Sequence, residues 1–151
     1  MRTLSAHISA IVHATEEVAR VMEAMNNLCP KDKFEVTPER TRFKGHHGNE
    51  IITLNLSVGS HIAKSFLPYV LGLFHPSDRR KVLSELQTRI DETGRLHMRV
   101  DKQESLRRKF QLSDQDPIKI EILFQIDKSS DLSLVEQVRR HVTSIADSIE
   151  G

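Results

Sequence analysis

Between Pro117 and Asp127 apolar and polar side chains alternate: Ile118, Ile120, Ile122, Phe124 and Ile126 against Lys119, Glu121, Gln125 and Asp127, with Leu123 the exception. Side chains of a strand point to opposite faces in turn, so this run predicts a strand buried on one face only. Leu4–Val12 repeats the pattern (Leu4, Ala6, Ile8, Ala10, Val12), as do Ile52, Leu54, Leu56 and Val58, and Leu96, Met98 and Val100 after Gly94. Strands covered on both faces read instead as continuous apolar runs. The pattern therefore predicts an α+β fold, a single antiparallel or mixed sheet with helices packed on one face. Shorter strands are expected at 33–37 and 40–44, with Pro38 confining that pair to an edge or a bend.

Helical spacing fills the gaps. Thr15 reads as an N-cap with Glu16 and Glu17 in the first turn, followed by Val18, Val21, Met22, Met25 and Leu28 and ended by Pro30. Residues 60–92 read as two helical parts broken near His75-Pro76, the second capped by Ser77, while Pro68 either kinks the first part or marks a later start. Ser133 and Glu136 form a capping box ahead of an amphipathic helix over 133–150 that carries Val135, Val138, Val142, Ile145 and Ile149.

A chain of 151 residues is expected to form one domain, 1–151, able to bury a core without disulfides, and Cys29 is its only cysteine. No apolar run approaches the roughly 20 residues of a membrane helix, and the first residues lack a signal-peptide pattern, so a cytoplasmic location without membrane contact is expected. Formal net charge is only +1, so a nucleic-acid surface must come from clustered charge. With no Trp and one Tyr, base stacking on aromatics has little to draw on.

Two stretches could carry chemistry. The polar run Lys44-Gly45-His46-His47-Gly48-Asn49-Glu50 precedes a strand and offers glycine backbones and neutral hydrogen-bonding side chains. It reads as a partner surface or as a plain connecting loop. The run Arg99-Val100-Asp101-Lys102-Gln103, leading to Arg107-Arg108-Lys109, could hold phosphates, with Gln103 reading a base edge or ribose hydroxyl. Alternatively Asp101 pairs with Lys102 or Arg99, or caps the next turn. Arg79-Arg80-Lys81 reads as a solvated face. The outward strand residues, among them His7, His13, Asn55, His97 and Lys119, form a polar face that a dimer partner or solvent would cover. His46 and His47 lack the spacing of a helical zinc pair, and neither His-Glu-x-x-His nor Cys-x-x-Cys occurs, so no metal or cofactor is expected.

Gly-His-His-Gly-Asn at 45–49 and Arg-Val-Asp-Lys-Gln at 99–103 together resemble an archaeal family of predicted RNA-binding, exosome-associated subunits. The junction Val12-His13-Ala14-Thr15-Glu16 and Asp116-Pro117-Ile118 fit the same pattern, over about residues 4–127. The resemblance implies a fold similar to the ribosomal protein that binds five-S ribosomal RNA. It also implies a non-catalytic RNA-binding protein, an accessory subunit in RNA processing or degradation. The implied surface comprises His46, His47, Gly48 and Asn49 with Arg99, Asp101, Lys102 and Gln103, to which Lys44, Arg107, Arg108 and Lys109 add charge. The final helix lies outside the resemblance and could serve a homodimer or a larger assembly. Two other readings of the residues stay open: a metal-assisted phosphoesterase using the histidines with Asp101, and a structural dimeric adaptor that does not touch RNA.

Overall fold

The computed structural model describes residues 1–30, 39–44 and 50–150. The expected strand at 33–37 and the loop at 45–49 lie outside the described residues. Five strands form one sheet: β1 (Thr3–Val12), β2 (Glu39–Lys44), β3 (Glu50–Gly59), β4 (Arg95–Asp101) and β5 (Pro117–Phe124). Their order is β2-β3-β1-β5-β4, and every neighbouring pair is antiparallel. The helices are α1 (Val18–Asn26), α2 (Ser60–Ala63), α3 (Phe66–Leu73), α4 (Pro76–Ser84), α5 (Leu86–Arg89), α6 (Lys102–Leu106) and α7 (Leu134–Glu150).

The alternation translates directly into burial. Ile8, Ile120 and Met98 lie side by side across β1, β5 and β4, and Ala6, Ile122 and Leu96 form the next row. All six are buried under the helices together with Leu54, Leu56, Val82, Leu86 and Val138. The opposite face stays open, and there Ile11 remains 40% exposed. Ile52, Val18 and Met22, expected in the core, are only partly buried against it. At the start of β1 the register shifts between Thr3 and Ser5, so Thr3 is buried in place of the expected Leu4.

Several helix boundaries differ from the sequence reading, each for a local reason. The N-cap position of α1 is Glu17 rather than Thr15, and the helix ends at Asn26, ahead of Pro30. Glu16 is drawn out of the first turn: its Oε1 accepts the His13 backbone N–H at 3.1 Å and the Lys102 ammonium at 2.9 Å. Residues 60–92 form four short helices, with breaks beyond the expected one at His75-Pro76. Pro68 is the third residue of α3, so it marks a later start, where its missing N–H is among those a helix leaves unpaired. The cap of α4 is His75, whose Nδ1 accepts the Ser77 backbone N–H at 3.1 Å, and Pro76 follows at the first helical position. Arg79, read as solvated, is buried: Nη1 donates to the Leu71 carbonyl at 3.0 Å and Nε reaches Glu150 at 3.4 Å. One half of the expected α7 capping box is present, Ser133 Oγ accepting the Glu136 N–H at 3.1 Å, while the Glu136 carboxylate accepts from Arg139 and Arg140. Among the described residues no helix is long and apolar enough to cross a membrane.

Candidate functional site

Strand register sets the site. Val12 pairs with Ile52, Glu50 with Lys44, and Asp101 with Pro117, while Ser9 faces Lys119. The end of β1, both anchors of the 45–49 connection, the start of β5 and the end of β4 therefore share one end of the sheet. From β3 to β4 is three strand spacings, roughly 15 Å. His46, His47, Gly48 and Asn49 themselves are outside the described residues.

At this end Lys102 does something the sequence did not announce. Expected to touch RNA, it is only 4% exposed. Its ammonium donates to the Ile11 carbonyl at 2.7 Å, to Glu16 Oε1 at 2.9 Å and Oε2 at 3.2 Å, and to Asp116 Oδ2 at 2.9 Å. The other Asp116 oxygen, Oδ1, lies 2.9 Å from His13 Nε2. Segments 12–16, 101–103 and 116–118 thus meet around one cation. Burial pushes the Asp116 carboxyl up, but the hydrogen bonds from Lys102 and His13 outweigh it and hold the group below the usual carboxylate range. His13, Glu16 and Asp116 bring possible metal-ligand atoms within 4.8 Å of one another. The ammonium already sits between the two carboxylates and supplies the positive charge they need, so the donor set fits lysine better than a metal ion. Asp101, a ligand in the phosphoesterase reading, is engaged as the N-cap of α6, its Oδ1 accepting the Glu104 N–H at 2.8 Å.

The basic turn that follows is braced from beneath. Asn27 Nδ2 donates to the Ser105 carbonyl at 2.9 Å, its Oδ1 accepts from Arg108 Nη1 at 3.1 Å, and Ser105 Oγ donates to the Ala24 carbonyl at 2.7 Å. Arg108 and Asp116 are the two non-glycine residues with positive φ among the described residues, 62° and 45°. Such backbone is costly for most side chains and tends to collect at functional sites. Both positions here belong to the same sheet end. Arg107 and Lys109 are exposed, Arg107 reaching Glu104 at 3.7 Å. Arg99 is exposed on the open face, 4.0 Å from Asp114, and Lys44 is exposed at the end of β2. Gln103 is exposed and, with Arg20, Thr15 and Glu17, lines an open cleft of about 330 Å³ beside Lys102.

This arrangement presents exposed cationic side chains on a braced backbone, suited to an extended anion, and among the described residues the phenylalanine and tyrosine rings lie elsewhere. Phe66, Phe74, Phe110 and Phe124 are in the core and Tyr69 packs against it. Cys29 is buried, which pushes its thiol up to about 12 and leaves it a poor nucleophile.

A family model described as RNA binding matches residues 5–124. The chain belongs to that RNA-binding family. Its relative in Pyrococcus abyssi, the RNA-binding protein PAB1135, is 29% identical over 146 residues, covering 90% of this chain and 93% of the relative. Among solved structures, protein AF2318 from Archaeglobus fulgidus, of the DUF54 family model, aligns with a TM-score of 0.79 at 30% identity, over 95% of this chain and 99% of that one. Mth689, a DUF54 protein from Methanothermobacter thermautotrophicus, aligns with a TM-score of 0.76 at 25% identity, over 97% and 99%. The family match takes in β1 from Ser5 onward, the other four strands and the network around Lys102, and stops before α7.

Proposed function

We propose that this protein is a non-catalytic RNA-binding protein that grips RNA at the sheet end defined by Lys44, the 45–49 loop, Arg99, Gln103, Arg107, Arg108 and Lys109. Family membership supports the RNA partner. The observation that carries the location is the register, which brings the anchors of one motif and the whole of the other to the same end of the sheet. The clustered cationic side chains favour contacts to phosphate and sugar, which fix position, over base reading. In this proposal Lys102 does not itself touch RNA. It locks α6 to β1 and β5, so that the basic turn is presented in one geometry. The biological setting we propose is an accessory subunit in RNA processing or degradation, with an exosome-type assembly as the partner complex and α7 a surface available for assembly.

The test is the salt dependence of RNA affinity after Arg107→Glu/Lys109→Glu, a pair chosen because both side chains are exposed. Each phosphate of a single strand that the variant no longer neutralises should flatten the log–log salt slope by about 0.7. Affinity should fall alike for unrelated sequences. Unchanged affinity and slope in a folded variant would place the RNA elsewhere.

A further inference from the structure

At the opposite end of the sheet, where β1 begins and β3 ends, an open cleft of about 550 Å³ lies between the start of β1, the α2 region and α7. Arg2, His61, Lys64 and His141 line it, together with the apolar Pro68 and Ile145. No Asp or Glu is among its described lining residues. Several cations elsewhere, Lys102, Arg79, Arg89, Arg139 and Arg140, each have a carboxylate partner. Among the described residues, none of the Arg2, His61, Lys64 and His141 side chains does. In a protein of net charge +1, a local excess of this kind is complementary to an anion. Arg2 is already positioned, its Nη2 3.3 Å from Ser60 Oγ and its carbonyl accepting the Gln125 N–H at 2.9 Å. The His141 ring is held edge-on against Phe124, with centroids 5.4 Å apart.

We propose that this cleft binds a nucleotide phosphate, with the phosphate between Arg2 and Lys64 and the base against the apolar surface of Pro68 and Ile145 beside His141. The volume falls within the roughly 300–1,000 Å³ of small-molecule sites. The lining cations suit a phosphate, and the apolar surface of Pro68 and Ile145 suits a flat ring rather than a bare inorganic ion. Burial, and then the charge of the amino terminus, lower the affinity of His141 for a proton. The imidazole is therefore available at neutral pH as a neutral hydrogen-bonding group. The ligand is either a free mononucleotide or the phosphorylated end of an RNA chain, which share this chemistry. The cleft and the basic turn are separated by the length of β1, ten residues or roughly 30 Å, so this site does not rest on the RNA-binding reading above.

The test is a titration of the full chain with AMP, followed calorimetrically and by the ring resonances of His141. AMP should bind more tightly than inorganic phosphate and shift those resonances. Arg2→Gln/Lys64→Gln should weaken it about tenfold or more, because two charge-assisted hydrogen bonds are removed. Arg107→Glu/Lys109→Glu should leave it unchanged. Displacement of AMP by a 5′-phosphorylated tetranucleotide would assign the site to RNA ends, and failure to displace would assign it to free nucleotides. An AMP titration that leaves His141 unperturbed, one insensitive to the Arg2/Lys64 change, or one matched by inorganic phosphate would overturn the proposal.

Discussion

Lys102 and Glu16, 86 residues apart in sequence, are joined by two hydrogen bonds of 2.9 and 3.2 Å. The pairing explains why α1 starts later than its sequence suggests, because Glu16 turns back toward the sheet. It also fixes where the basic turn after α6 stands.

Lys102→Met should therefore be costly for a single surface-looking lysine. Removing one partner of a buried ion pair typically costs about 3–5 kcal/mol, and the exposure of Asp116 puts this case at the lower end, about 3 kcal/mol. Urea unfolding of the variant measures it. A loss under about 1 kcal/mol would mean that the network contributes little to the fold.

Acid should weaken the fold through Asp91 and Asp116. Burial raises the Asp91 carboxyl, but it accepts hydrogen bonds from His97, Thr93 and the Arg95 N–H that outweigh this and hold it well below the usual range. Asp116 is depressed in the same direction. A carboxyl whose folded pKa lies below its unfolded value of about 3.9 stabilises the fold above that pH, and the contribution is lost as pH falls through the folded pKa. Melting temperature should drop steeply below about pH 4. Asp91→Asn keeps an oxygen for Thr93 and Arg95 yet cannot titrate, so its curve should be lower at neutral pH and flatter in acid. Parallel curves for the two proteins would exclude this origin.

Ile120 is fully buried between Ile8 and Met98, whereas Ile11, on the same sheet, faces outward. Ile120→Ala should cost about 2–5 kcal/mol. Ile11→Ala should cost about 0.5 kcal/mol or less, in line with surface positions. Equal losses would show that the open face is covered in solution, and a sedimentation run would then reveal the second copy.

Replacing His46, His47 and Asn49 by alanine should lower RNA affinity with little change in its salt slope at about pH 7.5, since histidine is then largely uncharged. In the unmutated protein affinity should rise below about pH 6.5 as imidazoles gain charge, and the triple variant should lose much of that rise. Binding measured across pH for both proteins decides it. A rise of equal size in the variant would point to other histidines.

Much of the sheet was legible because one face of it is dry. Ile118, Ile120, Ile122, Leu96 and Met98 declare their side through period-two alternation alone, and all are buried. Helix boundaries were less legible, since side chains such as Glu16 and His75 answer to partners that local spacing does not show. The site was legible in its residue types but not in their roles. An ammonium turned inward and one turned to solvent read identically in Arg-Val-Asp-Lys-Gln, and the carboxylates that settle the matter come from residues 16 and 116. Arg79 hid in the same way, since its partner Glu150 is 71 residues away.

The central position of β1 has a consequence for how the chain is made. Its two neighbours are β3, which ends at Gly59, and β5, which ends at Phe124. Pairings so distant in sequence close slowly, because a long loop must be ordered before any pairing rewards it. On the ribosome the first strand can join β3 early, but one of its edges stays open until residues 117–124 have emerged. An unpaired β1 edge thus persists in the nascent chain until β5 has emerged, and an open strand edge of this kind invites pairing with other chains.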